Sequence, residues 1–197
     1  FLNFYLTNVC EIALKYGGTI DKFIGDSVMI FFGDPDTKGA KEDAIACCQM
    51  AMEMLSFLEN NQQHFQDMYN FPEKLEIRVG IHNGLCNVGN FGSEQRLDYT
   101  AIGRTVNVAA RLEQAAPKNS ILVSSAIRNL IKNKFETSSP IEVKAKGIDK
   151  PIPSYVLTRQ GSSNVKVIKE LDGLKLEYDP NKIDKNKLLQ IIGDLEN

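Results

Sequence analysis

The chain has 197 residues, 43% of them hydrophobic, and its 23 Lys and Arg residues nearly balance 25 Asp and Glu residues, for a formal net charge of -2. This length suits one globular domain with an appendage rather than two full domains. A nearly neutral chain has no bulk electrostatic attraction to nucleic acid or to an acidic membrane surface. No apolar run approaches the roughly 18 residues of a membrane-spanning helix. We therefore expect an ordered domain that binds no nucleic acid and makes no direct membrane contact.

The cysteines and the first residues bear on the cellular compartment. Cys10, Cys47, Cys48 and Cys86 form no CxxC pair, and we interpret them as buried thiols of a reducing compartment. The opening lacks the basic start and cleavage site of a signal peptide. The chain begins with Phe1 inside a helical pattern, which is typical of a piece of a longer sequence. We expect a cytoplasmic protein, or the cytosolic part of a larger or membrane-anchored one.

The spacing of hydrophobic residues and the positions of turn residues predict short strands mixed with helices. Several neighbouring strands are joined by hairpin signals such as Asn83-Gly84, so the expected class is α+β with a mostly antiparallel sheet. Helices are predicted over 1–16, 38–64, 105–115 and 125–132, and strands over 19–24, 28–32, 75–82, 85–91, 97–102, 121–124, 141–144 and 154–158.

The last part of the chain is organised differently. Residues 159–164 form a polar linker rich in Gly and Ser, and 165–197 predict a hairpin followed by a helix over 185–195. We expect one domain over 1–158 and, after the linker, an extension that adds an edge or a docking element.

The helix predicted over 105–115 carries the clearest polar pair. Asn107 and Arg111 are four residues apart and project from one face, while Val106, Ala110 and Leu112 can face the core. An amide donor beside a guanidinium can hold developing phosphate charge. The same spacing also fits a surface ion pair of Arg111 and a capping role for Asn107. Spacing alone leaves both interpretations open.

Four stretches carry a recognisable pattern. They read GGTIDKFIGDSVMIFFGDP from Gly17, VGIHNGLCNVGNFGS from Val79, LDYTAIGRTVNVAARLE from Leu97 and ILVS from Ile121. Together they resemble the catalytic domain of class III nucleotidyl cyclases, the adenylate and guanylate cyclases. The resemblance covers residues 1–158 and implies a ferredoxin-like α+β fold. It also implies a head-to-tail homodimer with two active sites, each built from both chains.

The resemblance implies a specific reaction. The ribose 3′-hydroxyl attacks the α-phosphate and gives a 3′,5′-cyclic nucleotide and pyrophosphate. Two Mg²⁺ or Mn²⁺ ions per active site would bridge the phosphates, one activating the hydroxyl and the other steadying the leaving group.

Matching the motifs position by position implies roles for single residues. Asp26 matches one of two metal-binding aspartates. Lys22 and Thr100 match the pair that recognises the purine, with Lys22 donating to the adenine ring and Thr100 accepting from the exocyclic amine. Guanylate cyclases typically place an acidic residue where Lys22 stands. Because mispairing a charged donor costs at least about tenfold in discrimination, ATP is the expected substrate.

Three further residues match phosphate and ribose contacts of the family. Asn107 and Arg111 match the pair that orients the ribose and stabilises the transition state. Lys144 matches a triphosphate-binding lysine in a segment that usually has Gly where this chain has Ala145. The methyl group at that position is expected to shift the loop.

One family feature is missing from this chain. The second metal-binding aspartate belongs on the first strand of the fold, before the helix predicted over 1–16, and we find no substitute for it. We expect a fold that lacks its first strand and exposes unpaired backbone. We also expect this chain by itself to be inactive or nearly so.

Two alternatives to an adenylate cyclase stay open. A guanylate cyclase is argued against by Lys22. A catalytically degenerate domain that binds nucleotide or mediates dimerisation is argued against by the set Lys22, Asp26, Thr100, Asn107 and Arg111. The regulatory input of the domain is not contained in these motifs.

Overall fold

The computed structural model describes residues 1–143 and 151–158, together with the backbone of two strands in the C-terminal extension. In the first part, helices and short strands follow one another as the sequence predicts. In chain order the elements are α1 (Leu2–Lys15), β1 (Thr19–Ile24), β2 (Ser27–Phe31), α2 (Ala40–Asn60), α3 (Gln62–Tyr69), β3 (Arg78–Ile81), β4 (Asn87–Ser93), β5 (Arg96–Ile102), α4 (Arg104–Ala115), β6 (Ser120–Ser124), α5 (Ser125–Ile131), β7 (Ile141–Val143) and β8 (Ile152–Val156).

The strands of this part form one four-stranded sheet and two hairpins. The sheet has the order β3-β6-β8-β7, and the hairpins are β1-β2 and β4-β5. The pairing of β3 with β6 is parallel, whereas β6 with β8 and β7 with β8 are antiparallel. The prediction of an α+β fold with mostly antiparallel strands is confirmed.

The sheet is covered by helices on both faces. Successive residues of β6 point to opposite sides: Ile121 and Val123 pack with α2 and α5, and Leu122 packs with α4. Each of these side chains is almost completely buried, and full burial of such a side chain is worth about 1.5–3 kcal/mol. The sheet thereby fixes the position of α4, the helix that carries Asn107 and Arg111.

A second core joins α1 to the first hairpin. Val9, Ile12 and Ala13 of α1 are buried against α2, and Ile20 and Ile30 of the hairpin pack on the same cluster. Helix α1 therefore supports one end of the hairpin, while Phe23 and Ile24 near its tip stay exposed.

Two predicted elements were wrong in detail. The predicted helix 38–64 is two helices, because the chain changes direction at Asn61 and continues as α3, whose Phe65 is buried. The hairpin predicted at Asn83-Gly84 does not form, since β3 pairs with β6 and β4 pairs with β5. Local turn residues allowed that hairpin, but β3 instead pairs with β6, whose Ile121, Leu122 and Val123 are buried.

The cysteines also differ from expectation. Cys48 is buried and Cys10 and Cys47 are half-buried, but Cys86 is exposed, so the interpretation of all four as buried thiols was wrong for Cys86. Burial raises the pKa of the Cys48 thiol to about 12. Within the described parts of the chain, no helix is long and apolar enough to cross a membrane.

The chain divides into two compact units, Phe1–Thr158 and Arg159–Asn197. In the second unit β9 (Val167–Leu171) and β10 (Leu174–Tyr178) pair antiparallel, in agreement with the hairpin predicted there. The helix predicted over 185–195 lies outside the described residues.

Candidate active site

The hairpin β1-β2 presents Asp26 at its tip. Ile24 pairs with Ser27, so Gly25 and Asp26 form a two-residue turn. Gly25 has φ +64°, a conformation that an L side chain rarely adopts, and it occupies the turn position that needs a positive φ. Asp26 is exposed, as a ligand of a hard cation would have to be.

A β-bulge lies in the middle of β1. The pairing steps from Ile20 opposite Ile30 to Lys22 opposite Met29, so Asp21 is the additional residue of the bulge. A bulge breaks the alternation of side chains between the two faces of a strand. Neighbouring side chains of a regular strand point to opposite faces, but here those of Asp21 and Lys22 come together. Lys22 Nζ lies 3.3 Å from Asp21 Oδ1.

Asp21 joins β1 to β5. The Thr100 hydroxyl lies 2.8 Å from both carboxylate oxygens of Asp21, and the Ala101 backbone N–H donates to Asp21 Oδ2 at 2.9 Å. The Asp21 side chain is 1% exposed, and that of Lys22 is 45% exposed. Thr100 is 4% exposed. Lys22 and Thr100, the predicted purine-recognition pair, are thus held within one polar cluster around a carboxylate that the sequence analysis did not select.

Tyr99 makes a second connection between the same elements. Its hydroxyl donates to the Asp34 carboxylate, just after β2, and this hydrogen bond raises the pKa of Tyr99. The Thr19 hydroxyl in turn donates to the Asp34 backbone carbonyl at 2.7 Å. The β1-β2 hairpin and β5 are therefore fastened together on both sides of Thr100.

Helix α4 follows β5 directly and exposes the two predicted ribose and phosphate contacts. Val108 and Leu112 are buried, whereas Asn107 and Arg111 are exposed on the neighbouring face. Arg111 Nη1 donates to Gln114 Oε1 at 2.7 Å. The expectation that Ala110 faces the core was wrong, since Ala110 is exposed; Val106 is half-buried, and Leu112 is buried as expected.

His82 occupies a structural position between two elements. Its Nδ1 lies 2.8 Å from the Ser124 hydroxyl, and Ser124 caps the N-terminus of α5 through the Ile127 backbone N–H. Burial lowers the pKa of His82 below its ordinary value of 6.5. The neutral imidazole is therefore the favoured form in the folded domain.

The family implies divalent cations, and the described residues can be tested against that expectation. Asp26 offers one carboxylate. Its charge also acts on Tyr5, whose pKa is raised mainly by burial and further by Asp26. In the described part of the chain no three His, Cys, Asp or Glu side chains gather into a group that could hold a metal ion. A metal site needs more ligands than Asp26, so among the described residues Asp26 is one candidate ligand and not a complete site.

The predicted site residues divide into three groups. Lys22 and Thr100 are brought together by Asp21, Asn107 and Arg111 share one face of α4, and Asp26 lies at the hairpin tip. Lys144 lies outside the described residues. Asp21 was the residue that sequence reasoning missed, although aspartate is depleted in strands and its presence in β1 was a usable signal.

The comparisons with known proteins name the family. Residues 2–159 match the family model described as the adenylate and guanylate cyclase catalytic domain. An adenylate cyclase of Anabaena cylindrica is 34% identical over 160 residues, which are 79% of this chain and 31% of that protein. Adenylate cyclase 1 of Rhizobium meliloti is 35% identical over 159 residues, 78% of this chain and 23% of that protein. The chain spans about a third of the first relative's length and less of the second's.

Solved structures agree with this match. The adenylyl cyclase CyaB from P. aeruginosa superposes with a TM-score of 0.77 at 45% identity, covering 80% of each chain. The guanylyl cyclase Cya2 superposes with a TM-score of 0.74 at 29% identity, covering 81% of this chain and 79% of that one. The chain therefore belongs to the class III adenylate and guanylate cyclase family and has the fold of its catalytic domains.

Proposed function

We propose that residues 1–158 are the catalytic domain of an adenylate cyclase that converts ATP to 3′,5′-cyclic AMP and pyrophosphate. The observation that carries the proposal is the cluster of Lys22, Asp21 and Thr100 in the hairpin that presents Asp26. The cluster supplies a charged donor and a hydroxyl acceptor suited to adenine, and the exposed Asp26 at the tip of the same hairpin supplies a carboxylate suited to a cation. Similarity to named adenylate cyclases supports the same reaction.

The proposed reaction is an intramolecular displacement at the α-phosphorus. The 3′-hydroxyl of the ribose gives its proton to water, its oxygen forms a bond to the α-phosphorus, and the bond from that phosphorus to the pyrophosphate oxygen breaks, so that pyrophosphate leaves. Arg111 would stabilise the charge that accumulates on the phosphoryl oxygens, and Asn107 would orient the ribose. Lys144 would bind the triphosphate.

Divalent cations are the proposed cofactors, Mg²⁺ or Mn²⁺, two per active site. Bound with the triphosphate, they would supply charge neutralisation and a more acidic 3′-hydroxyl. Asp26 is the proposed ligand from this part of the chain. Its side chain is exposed at a two-residue turn, where such an ion can reach the carboxylate.

A homodimer is the proposed working form, with active sites shared between the two chains. Large apolar side chains are exposed at the end of β1, along β4-β5 and in the loop before β4, and exposed apolar surface is typical of protein interfaces. The residues are Phe23, Ile24, Leu85, Phe91, Leu97, Tyr99 and Ile102. Leu85 is the extreme case at 98% exposure.

A guanylate cyclase is the second candidate, favoured by the structural similarity to the guanylyl cyclase Cya2. Lys22 distinguishes the two candidates, because a positively charged side chain can donate to adenine N1 but is opposed by the N1–H donor of guanine. The remaining residues are proposed as a linker over 159–164 and an extension over 165–197.

The test uses Lys22→Gln in the whole protein that the gene encodes, with kcat/KM measured for ATP and for GTP. The wild type is expected to prefer ATP. In the variant, the ratio of kcat/KM for ATP to that for GTP should fall about tenfold, because the charged donor is gone. Lys41→Gln, on the exposed side of α2, is the matched control and should keep the wild-type ratio. A wild type that prefers GTP would establish the second candidate instead.

A further inference from the structure

We propose that Asp21 is a positioning residue for nucleotide selectivity: it fixes the Thr100 hydroxyl as a hydrogen-bond acceptor and so favours adenine over guanine. This inference rests on the proposed function, because it deepens how the same site chooses its nucleotide. Asp21 is not one of the motif residues that define the predicted site.

The contacts of Asp21 leave its carboxylate fully engaged. It accepts from the Thr100 hydroxyl and from the Ala101 backbone N–H, and it forms an ion pair with the Lys22 ammonium at 3.3 Å. A carboxylate buried to 1% exposure needs such partners to remain in the fold. The β-bulge is the feature that brings it there, since the step in register puts Asp21 and Lys22 within 3.3 Å of each other.

The chemistry of the hydroxyl gives Asp21 its influence. An ionised carboxylate only accepts hydrogen bonds, and a threonine hydroxyl has one hydrogen and two lone pairs. Thr100 lies 2.8 Å from both oxygens of Asp21, so its one hydrogen is directed to that carboxylate. Towards any further partner Thr100 can then act only as an acceptor.

A hydrogen-bond acceptor at this position discriminates between adenine and guanine. The 6-amino group of adenine donates a hydrogen bond, whereas the 6-oxo group of guanine accepts one. A guanine at this position would bring two acceptors together, and an unpaired polar group in a buried site is costly. Lys22 lies 3.3 Å from the same carboxylate and keeps hydrogens for the adenine ring, and the influence of Asp21 on selectivity runs through the Thr100 hydroxyl.

The test replaces Asp21 by Asn and measures binding of 3′-deoxy-ATP and 3′-deoxy-GTP, which cannot cyclise. An Asn amide can still accept from Ala101 through its oxygen while its NH₂ group donates to Thr100. The Thr100 hydroxyl is then able to donate to a base. We expect the ratio of the two affinities to fall at least about tenfold from the wild-type value. Asp98→Asn on β5 is the matched control and should keep the wild-type ratio.

Thr100→Val makes the test specific to the hydroxyl. If Asp21 acts through Thr100, then Asp21→Asn changes the affinity ratio in the Thr100 background but not in the Thr100→Val background. Equal losses of both affinities, with an unchanged ratio, would overturn the proposal and leave Asp21 a purely structural residue. A wild type without preference for 3′-deoxy-ATP would contradict the proposed function itself.

A second measurement needs no substitution and remains available if Asp21→Asn does not fold. A hydroxyl proton held by a buried carboxylate exchanges slowly with water, so the Thr100 hydroxyl proton should be visible by NMR. It should show a nuclear Overhauser contact to Lys22 or Ala101 and persist when 3′-deoxy-ATP binds. A hydroxyl proton that is lost when 3′-deoxy-ATP binds would overturn the proposal.

Discussion

Gly80 of β3 lies directly against the backbone of Glu113 in α4. A Cβ atom built on Gly80 would be 2.1 Å from the Glu113 nitrogen and 2.4 Å from the Ala109 carbonyl oxygen. At Gly80, the helix that carries Asn107 and Arg111 therefore contacts β3 backbone to backbone. This close approach sets the height of the site above the sheet.

Gly80→Ala is predicted to destabilise the domain. The atoms in the way belong to backbone, which cannot move aside as a flexible side chain would, and overpacking of this kind typically costs about 1–3 kcal/mol or more. Chemical denaturation should show the loss in the free energy of unfolding. Gly89→Ala is the control, because its nearest neighbour would be a Phe91 ring carbon at 3.8 Å, an ordinary contact. Equal stability of the two variants would contradict the packing described.

Arg111→Ala is predicted to reduce turnover far more than binding. A donor that acts on charge developed in the transition state contributes about a hundredfold to a thousandfold to kcat. Steady-state kinetics of the whole protein with ATP measures the effect. Arg128→Ala is the control: Arg128 packs over the Tyr155 ring, so its loss should lower stability and leave kcat of the folded protein unchanged. A large rise in KM with normal kcat for Arg111→Ala would refute the assigned role.

Asp26→Asn is predicted to weaken Mn²⁺ binding in the presence of 3′-deoxy-ATP and to lower turnover. The amide keeps the size of the side chain but removes the negative charge that a hard cation prefers. Electron paramagnetic resonance of unbound Mn²⁺ gives the affinity. Asp36→Asn, another exposed aspartate after β2, should bind Mn²⁺ as the wild type does. Unchanged Mn²⁺ affinity in Asp26→Asn would remove Asp26 from the proposed metal ligands.

Leu97→Lys is predicted to impair dimer formation and, with it, activity. Leu97 is 62% exposed on β5 among the apolar side chains proposed to meet a second copy, and a charge there would have to be desolvated on association. Leu14→Lys is a control of equal exposure on α1. Analytical ultracentrifugation should find Leu14→Lys dimeric and Leu97→Lys shifted to monomer. The opposite pattern would move the interface to α1.

The stability of the domain is predicted to fall as His82 becomes protonated. Burial lowers the pKa of His82 in the folded state. The neutral imidazole therefore adds its full contribution to the free energy of unfolding above the ordinary pKa of 6.5, and this contribution is lost as the pH falls below that value. The free energy of unfolding should drop between about pH 7.5 and about pH 5, and His82→Gln should reduce that drop. His64→Gln serves as control and should retain it. An NMR titration of His82 at or above 6.5 would contradict the prediction.

The sequence predicted those parts of the fold that depend on local signals. Gly25 and Asp26 between two β-rich runs predicted the first hairpin, and the periodicity around Leu112 predicted α4. The partner of β3 could not be predicted in this way, because Asn83-Gly84 suits a hairpin while the pairing with β6 joins segments about 40 residues apart. Such pairings are decided by burial across the whole sheet rather than by a turn.

The candidate site was predictable in its motif residues and less so in its geometry. A bulge at Asp21 has no local sequence signature here, and without it Asp21 and Lys22 would point to opposite faces of β1. The connection from Tyr99 to Asp34 likewise depends on the approach of β5 to the first hairpin. Residue identity indicated the kind of chemistry, whereas the tertiary structure determined which side chains share a cluster.

The most direct test of the adenylate cyclase assignment is to identify the products formed by the whole encoded protein from ATP and, separately, from GTP with Mn²⁺. The account predicts cyclic AMP and pyrophosphate in equal amounts from ATP, with far slower conversion of GTP, when the products are separated by chromatography. Cyclic GMP as the main product would make the protein a guanylate cyclase. Bound nucleotide with no cyclic product from either would contradict the assignment of an enzyme and favour a binding module.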